Sequence, residues 1–454
     1  MGRDTSGIKK ILEPAREIDV CSEAEVVVVG GGPAGVSAAL AAARNGAETI
    51  LVERYGHLGG MATGGLVVIF LAMSDGSKQQ QIAGLCQEMV DRLDSVGGAL
   101  YPKRENLGSG DKDLLEKWKH FGSCVTEGKL RLNVYVDPEM LKCILNDMVE
   151  EAGIHLFLHS WGSRALVEKG KVLGITFESK SGRQAIRGKI VIDATGDGDI
   201  FASAGADFDG TLDPQLRSSN LALAFRVGQI DIEAFNEFKE TEPKKYAELM
   251  GEIKRSGGFN VSMRTSRSDT LWFNNWLPGL SAVNVEDLTW VEVNARKKML
   301  KTHNFFKKYV PGFKASYIMD TASQIGTRGS RRLIGEYIVT AQDVLSGKNH
   351  QDAIAVCPRL HQNSSPEYPN PHIPYRSLLP KKIENLLTAG RCFSSDAVAN
   401  DALNLIPHCI AMGEAAGTAA ALAVKNGVRP RDVDTKALQV RLMDQGVPLL
   451  GVKI

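Results

Sequence analysis

The chain has 454 residues, with 54 lysines and arginines against 53 aspartates and glutamates, so its formal net charge at pH 7 is +1. This balance argues against an obligate nucleic-acid or anionic-membrane partner, and the length suits one large domain or two to three interwoven ones. The 46 glycines follow no G-X-Y period, which excludes collagen, and the seven cysteines form no C-x-x-C pair, which excludes a zinc ribbon and leaves no metal site predicted.

The N-terminal segment, 1–22, is polar and charged and lacks the apolar stretch of a signal peptide. The longest strictly apolar run, 66–73, is too short to cross a bilayer. We therefore expect a cytoplasmic protein without a membrane partner.

Residues 24–53 have the pattern of a strand, a helix and a second strand. EAEVVVVGGGPAG is an apolar strand that enters a glycine turn, VSAALAAARNG is an alanine-rich helix, and AETILVERYG is a second strand. Because the crossover of such a unit is right-handed, it predicts two neighbouring parallel strands.

The glycine turn carries Gly30-x-Gly32-x-x-Gly35, and Glu53 ends the next strand. Gly30 permits the tight turn, Gly32 lets the backbone approach a pyrophosphate, and Gly35 allows close packing of helix on strand. The helix N-terminus offers free N–H groups to phosphate, and an acid at the position of Glu53 suits ribose hydroxyls. These residues predict a dinucleotide-binding site.

The rest of the chain alternates strands and helices. DPEMLKCILNDMVEEAG predicts an amphipathic helix, IHLFLHS a strand, 161–190 an antiparallel meander, and GKIVIDATGDGDI a buried strand that ends in a glycine-acid turn. Arginine clusters and Pro-containing loops fill 206–379, which indicates an inserted domain. NLLTAGRCFSS and IPHCIAMGEAAGTAAALAVKNG return to a strand and a long helix, and 435–445 predicts a last helix.

Three motifs resemble, in order, those of the FAD-dependent oxidoreductases in the glutathione-reductase-like flavoprotein superfamily. They are GGGPAGVSAALAAARNGAETILVERYGHLGG, KIVIDATGDGD, and NLLTAGRCFSSDAVANDALNLIPHCIAMGEAAGTAAALAV. The resemblance implies FAD, bound non-covalently. It also implies an α/β fold: a doubly wound, Rossmann-like FAD-binding domain, discontinuous in sequence, with an antiparallel meander and an inserted α+β substrate domain.

The implied FAD-binding domain has two parts, 24–205 and 381–430, which flank a substrate domain at 206–380 and precede a C-terminal surface segment at 431–454. The residues implied to bind the cofactor lie in the three motifs. They are Gly30, Gly32, Pro33, Ala34, Gly35, Glu53, Arg54, Gly59, Gly60, Met61, Ala194, Thr195, Gly196, Gly390, Arg391, Pro407 and Gly413.

The third motif departs from many relatives, which have Gly-Asp where this chain has Gly390-Arg391. Either Asp396, Asp401 or a backbone group replaces the acid that binds the ribityl chain, and Arg391 instead faces phosphate or substrate. By resemblance, the helix that begins near Pro407 points its N-terminus at the flavin, where its dipole stabilises negative charge on the reduced cofactor.

Flavin chemistry asks the protein for a base or acid and for correct positioning. His408, at the start of the long helix, and Tyr375, in PYRSLLPK, are the candidates to move a proton. Arg328 is the candidate to clamp a carboxylate, because arginine forks match carboxylates, and a helical 328–332 would place Arg328 and Arg332 on one face. The residues expected to bind substrate or to wall its pocket are Arg331, His361, His372, Asn404, Trp272, Phe273, Asn274, Asn275 and Trp276.

The expected function is an FAD-dependent dehydrogenase or oxidase that moves hydride from a small polar substrate, such as an alcohol, sugar, hydroxy acid or amine, to the flavin. The alternatives are a reductase of an activated alkene, a tRNA-modifying flavoprotein and a thiazole-synthase-like nucleotide-binding protein. The expected partner is the small-molecule substrate, with homo-oligomers implied by the resemblance alone.

Overall fold

The structure is a computed structural model that describes residues 11–359 and 369–452. Within these ranges the helices are α1 (Pro33–Arg44), α2 (Leu85–Ser95), α3 (Lys112–Trp118), α4 (Pro138–Glu151), α5 (Asp199–Ser203), α6 (Ile232–Thr241), α7 (Pro243–Arg255), α8 (Val285–Tyr309), α9 (Ala341–Ser346), α10 (Ala397–Leu403), α11 (Ile406–Asn426) and α12 (Thr435–Asp444).

The strands, taken over the same ranges, are β1 (Val20–Val29), β2 (Thr49–Val52), β3 (Ile69–Phe70), β4 (Ala99–Leu100), β5 (Val125–Thr126), β6 (Lys129–Leu130), β7 (Val134–Val136), β8 (His155–Phe157), β9 (Trp161–Glu168), β10 (Lys171–Ser179), β11 (Gly182–Asp193), β12 (Phe208–Asp209), β13 (Asn220–Ala222), β14 (Phe225–Gly228), β15 (Val261–Arg264), β16 (Leu271–Asn274), β17 (Leu277–Pro278), β18 (Tyr317–Thr321), β19 (Gly326–Thr327), β20 (Arg332–Leu333), β21 (Ala353–Val356), β22 (His372–Pro374) and β23 (Leu386–Thr388).

A central sheet joins the beginning of the chain to its end. Its parallel part runs β8-β2-β1-β11-β23, and Val28 of β1 lies between Leu51 of β2 and Ile192 of β11. The first half of β11 pairs antiparallel with β10, and β10 with β9, which is the predicted meander. The predicted α/β class with a mainly parallel sheet is therefore present, built from both ends of the chain.

The apolar run of β1 is buried on both sides of this sheet. Side chains alternate between the faces of a strand. Val26 and Val28 pack with α1 and α11 in one core, whereas Val27 and Val29 pack in another with the meander and α5. Burial on both faces explains why β1 is a continuous run of apolar residues rather than an alternating one.

A second hydrophobic core occupies residues 221–325 and includes Leu66 and Val68. It packs α8 against an antiparallel sheet of order β15-β16-β14-β18. Residues 339–379 contribute instead to the core around α1 and α11. The domain boundaries at residues 205, 380 and 430 remain predictions. After residue 338 the chain contributes to the core around α1 and α11, although the predicted substrate domain extends to residue 380.

One local prediction differs from the structure. Residues 328–332 are not helical: they follow β19 and run into β20, so Arg328 and Arg332 share no helix face. A Cβ at Gly329 would lie 2.7 Å from the carbonyl oxygen of Ser218, so this segment packs closely against the chain at residue 218.

Within the described residues, no single helix is long and apolar enough to span a membrane. Only α10 and α11 together meet the length and composition requirement, and they are bent by 97° at the break between them.

Candidate active site

A cavity of about 760 Å³ lies where the carboxyl ends of β1, β2, β11 and β23 meet the second core. Ligands of open α/β sheets bind at this edge. The cavity brings together these residues that were predicted to bind the cofactor: Gly30, Gly32, Pro33, Ala34, Glu53, Arg54, Gly60, Met61, Ala194, Thr195, Gly196, Gly390 and Arg391.

The glycine turn before α1 has the clearance that a dinucleotide requires. Gly30 has φ +99°, and a Cβ there would overlap the backbone of Ala194. A Cβ on Gly35 would overlap the carbonyl of Gly30, whereas a Cβ on Gly32 would meet no atom within 4 Å. Gly32 thus leaves open space at the N-terminus of α1, and these residues fit a bound pyrophosphate. Gly35 lies beneath the cavity, where it allows helix and turn to pack.

Glu53 is buried at the end of β2 and faces the cavity. Its carboxylate accepts the N–H of Gly31 at 2.5 Å and the N–H of Tyr55 at 2.8 Å. Burial raises its pKa, and these two hydrogen bonds offset part of the rise. The carboxylate is therefore held in one orientation, which suits binding of ribose hydroxyls.

Arg391 is paired with an acid from the second motif. Its Nη2 donates to Asp197 Oδ1 at 2.7 Å, and Ser330 Oγ donates to the same oxygen at 2.6 Å. Asp396 caps α10, and Asp401 accepts the N–H of Ser218, so both candidate ribityl acids are engaged away from the cavity lining.

Three residues predicted to bind the cofactor support the cavity from outside its lining. Gly413 allows α11 to cross α1 closely, because a Cβ there would overlap the carbonyl of Ala34. Pro407 is buried in the first turn of α11. Gly59, with φ +93°, precedes the short helix Gly60–Ala62. Packing and chain direction are the roles these positions support, and their contact with the cofactor stays a prediction.

The two proton-transfer candidates do not reach the cavity. His408 is fully buried, and burial lowers the pKa of its ring to about 4. The cavity lining passes from Ile406 to Cys409 and leaves His408 on the inner side of α11. Tyr375 is 1% exposed, its hydroxyl donates to Pro430 O at 2.7 Å, and burial raises its pKa. A catalytic role for either does not fit these positions.

Arg328 and Asn404 do line the cavity. Arg328 Nη2 donates to Asn274 Oδ1 at 2.7 Å, and its carbonyl accepts Asn404 Nδ2 at 2.8 Å. Asn404 Oδ1 accepts from Arg217 Nη2 at 2.5 Å. Burial lowers the pKa of Arg328 to about 10, and the Arg217 charge adds to this, so Arg328 remains cationic at neutral pH. Sequence analysis missed Arg217, whose place depends on a contact with residues far along the chain.

The other predicted substrate residues lie elsewhere. Arg331 donates to Asp199 Oδ1 at 2.9 Å and to Asp197 O at 3.0 Å, outside the lining. His372 is buried in β22, which lowers its pKa to about 4, and it too is outside the lining. His361 lies outside the described residues. These placements do not fit substrate contact by Arg331 or His372, because both side chains are committed to the surrounding fold.

The family model for FAD dependent oxidoreductases matches residues 25–442. The chain belongs to this FAD-dependent oxidoreductase family. FAD is therefore its cofactor, and the three motifs named from the sequence are those of a family member.

Two proteins from Methanopyrus kandleri are similar to this family member over part of its length. Digeranylgeranylglycerophospholipid reductase 1 is 27% identical over 281 residues, which cover 59% of this chain and 62% of the relative. Digeranylgeranylglycerophospholipid reductase 2 is 26% identical over 177 residues, or 38% of each chain. The matches thus span less than two thirds of either relative.

Two solved structures are similar over most of the chain. A geranylgeranyl bacteriochlorophyll reductase-like protein from Thermoplasma acidophilum has a TM-score of 0.42 and 14% identity, covering 93% of this chain and 83% of that one. The p-nitrophenol 4-monooxygenase of Pseudomonas putida has a TM-score of 0.46 and 13% identity, covering 93% and 84%.

The predicted pocket wall is present in part, and apolar strands extend it. Trp272, Asn274 and Trp276 line the cavity of this oxidoreductase, whereas Phe273 packs in the second core and Asn275 binds the backbone of Leu223. The wall continues through residues that the sequence did not single out, namely Val67, Ile69, Leu71, Val125, Val261 and Met263. These residues alternate with buried neighbours, a pattern that indicates strands. Which face of such a strand meets the cofactor depends on tertiary packing.

Proposed function

We propose that this oxidoreductase reduces a carbon–carbon double bond that is conjugated to a carboxylate or carbonyl group of an otherwise apolar molecule. The observation that carries the proposal is the guanidinium of Arg328 in the cavity wall, bound to the neutral Asn274 rather than to an acid. Arg217 lies next to it, joined through Asn404, and pairs with Asp401 at 3.7 Å. A guanidinium fork suits such an oxygen group and stabilises the negative charge that develops on it during reduction.

The lining supports reduction over the expected oxidation of polar substrates. Oxidation of an alcohol or amine needs a base beside the substrate. Among the described residues that line the cavity there is no histidine. Each carboxylate of the lining is engaged or exposed: Glu53 accepts hydrogen bonds, Asp197 and Asp199 pair with arginines, and Glu127 is exposed to solvent.

The names of the two Methanopyrus kandleri relatives agree with this direction, since both are reductases. When bound in its reduced form, FAD supplies the two electrons of the reaction. The protein holds the substrate through Arg328, and the apolar residues of the lining strengthen the attraction between the guanidinium and the bound oxygen by lowering the local dielectric. The reaction also takes up one proton at the other carbon of the double bond, and solvent supplies it.

The test starts from holoenzyme that has been reduced in the absence of oxygen. We expect oct-2-enoate to restore the visible absorbance of oxidised FAD, whereas octanoate, which lacks the double bond, leaves the flavin reduced. Arg328→Met should slow the reoxidation by oct-2-enoate by about a hundredfold, as expected for loss of one charged group at the reacting oxygen. Bleaching of oxidised holoenzyme by alcohols or hydroxy acids, with no reoxidation by enoates, would instead support a dehydrogenase.

A further inference from the structure

Arg131 is a further arginine of the cavity lining, besides Arg54, Arg217, Arg328 and Arg391. It lies between β6 and β7, and its backbone N–H donates to Cys124 O at 2.9 Å. The residue is only 2% exposed. The residue is therefore nearly removed from bulk solvent although it belongs to the cavity lining.

The guanidinium has weak partners among the described residues. Nη1 donates to Thr126 Oγ1 at 3.3 Å, and Nη2 donates to Arg359 O at 3.5 Å. Nε has no hydrogen-bond partner within the described ranges. Both contacts are long for N–H···O bonds, and an arginine offers five N–H donors. Most of the donor capacity of Arg131 is therefore unused by the part of the chain that the structure describes.

Within the described ranges, no acid pairs with the positive charge of Arg131. Asp75 attracts it from a distance, but that carboxylate accepts Ser77 N at 2.8 Å and Asn370 Nδ2 at 2.8 Å. Burial lowers the pKa of Arg131 to about 10, so the side chain stays protonated at neutral pH. A buried charge without a counter-charge is costly for a folded protein.

Other arginines with the same burial are treated differently. The side chain of Arg226 is 5% exposed and pairs with Asp320, and that of Arg332 is 3% exposed and pairs with Asp209 at 2.5 Å. Arg131 is equally buried, and no carboxylate of the described residues lies within ion-pair distance of it. This contrast indicates that its counter-charge comes from a ligand.

The walls beside Arg131 are apolar, with Ile69, Leu71, Val125 and Met263 lining the same cavity. We propose that Arg131 binds an anionic oxygen group, a carboxylate or a phosphate, at the end of a substrate whose body lies along these apolar walls. The inference rests on the proposed function only where it calls the bound molecule a substrate. It assigns to the substrate a charged head group, which is separate from the oxygen that Arg328 holds.

The experiment measures binding by calorimetry to oxidised holoenzyme, with octanoate, octyl phosphate and the uncharged octanol as probes. We expect at least one of the two anions to bind the native protein about tenfold more tightly than octanol. Because Arg328 can itself hold an anionic oxygen, the decisive comparison is made in Arg328→Met: there a preference for the anion should remain, and adding Arg131→Met should abolish it without changing the affinity for octanol. Arg183→Met, at an exposed arginine outside the lining, is the control and should change neither affinity. The comparison of the two anions shows whether carboxylate or phosphate is favoured.

Several results would overturn the proposal. They are an equal affinity for anions and octanol in the native protein, a preference that Arg328→Met alone removes completely, and a preference that persists in the double variant of Arg131 and Arg328. Should Arg131→Met not yield holoenzyme, Arg131→Lys keeps the charge but not the fork, and it should weaken anion binding severalfold with octanol unaffected. Unchanged anion affinity in Arg131→Lys would count against the site. Anion binding through Arg131 without any reoxidation by enoates would refute the proposed reaction and leave this binding site standing.

Discussion

Arg391 donates a 2.7 Å hydrogen bond to Asp197, and this bond ties the turn after β23 to the turn after β11. The two side chains are 12% and 8% exposed. Burial alone would raise the pKa of Asp197, but the Arg391 charge and the hydrogen bonds from Ser330 and Arg391 lower it overall. The pair therefore fixes the spacing of two glycine turns that come from opposite ends of the chain.

Asp197→Asn should destabilise both the fold and cofactor binding. Asparagine keeps the shape of the side chain but leaves Arg391 buried without its counter-charge, which costs about 3–5 kcal/mol of unfolding free energy. Urea unfolding of the holoenzyme measures this loss, and retention of FAD through ultrafiltration measures the effect on the site. Glu178→Gln removes an exposed partner of Arg183 and should change neither quantity. An equal effect of both variants would show that the buried pair has no special role.

Gly413→Ala should separate α11 from α1. A Cβ at residue 413 would overlap the carbonyl oxygen of Ala34, which belongs to backbone and cannot rotate away. We expect a loss of about 1–3 kcal/mol in unfolding free energy, as for other overpacked cores. The FAD affinity should fall as well, because Ala34 lies in the first turn of α1 beside the cavity.

Gly251→Ala is the matched control, since Gly251 lies within α7 and the nearest atom to a Cβ there is the flexible end of Arg255. Alanine at this helical position should raise the unfolding free energy by up to about 1 kcal/mol. Thermal and urea unfolding of the two variants should therefore shift in opposite directions. A shift of the same sign and size in both would contradict the close crossing of the helices.

The cofactor end of the cavity could be predicted because its signals are local. Gly30, Gly32 and Glu53 follow one another within a single strand-helix-strand unit, and their roles depend on the turn they share. The substrate end could not be predicted in this way. Arg131 and Arg217 reach the cavity only through contacts with distant residues, and no spacing in the sequence marks them.

The position of His408 outside the cavity lining has a simple geometric reason. Consecutive residues of a helix point about 100° apart, because a turn takes 3.6 residues. The prediction correctly placed the first turn of α11 beside the cavity, but Cys409 lines it and His408 points into the core. Tyr375 also lies outside the cavity lining. It packs in the same core as α11, and its hydroxyl donates to Pro430 O.

The stability of the protein should depend on pH through Glu414. This carboxyl lies on α11, is 1% exposed and accepts the N–H of Leu85 at 3.0 Å. Burial raises its pKa from 4.5 to about 8. The folded state thus holds the proton more tightly, so the contribution of Glu414 to unfolding free energy is complete below about pH 4.5 and is lost as pH rises through about 8.

Glu414→Gln should remove this dependence, because the amide oxygen still accepts the N–H of Leu85 but has no proton to lose. Urea unfolding between about pH 5 and about pH 9 should show the variant gaining on the native protein as pH rises. Glu25→Gln is the control, since the hydrogen bond from Lys189 lowers the pKa of Glu25 and Glu25 is not among the charges that act on Glu414. The difference between that variant and the native protein should stay constant over the same range. A constant difference for Glu414→Gln as well would show that this carboxyl is ionised in the folded protein.

Gly32→Val should prevent FAD binding while leaving the fold intact. Gly32 has φ −71°, which any residue adopts, and a Cβ at this position would touch no protein atom within 4 Å. The added side chain would therefore fill only the space at the N-terminus of α1 that the pyrophosphate needs. We expect urea unfolding of the apoprotein to be unchanged within about 0.5 kcal/mol and FAD affinity to fall by more than tenfold.

Gly122→Val is the matched control. Gly122 also lines the cavity and also has open space around its Cβ, but it lies shortly before β5 rather than at the glycine turn. This variant should bind FAD as tightly as the native protein does. Loss of FAD in both variants would mean that the cofactor extends along the apolar wall now assigned to the substrate, and retention in Gly32→Val would remove the turn before α1 from the cofactor site.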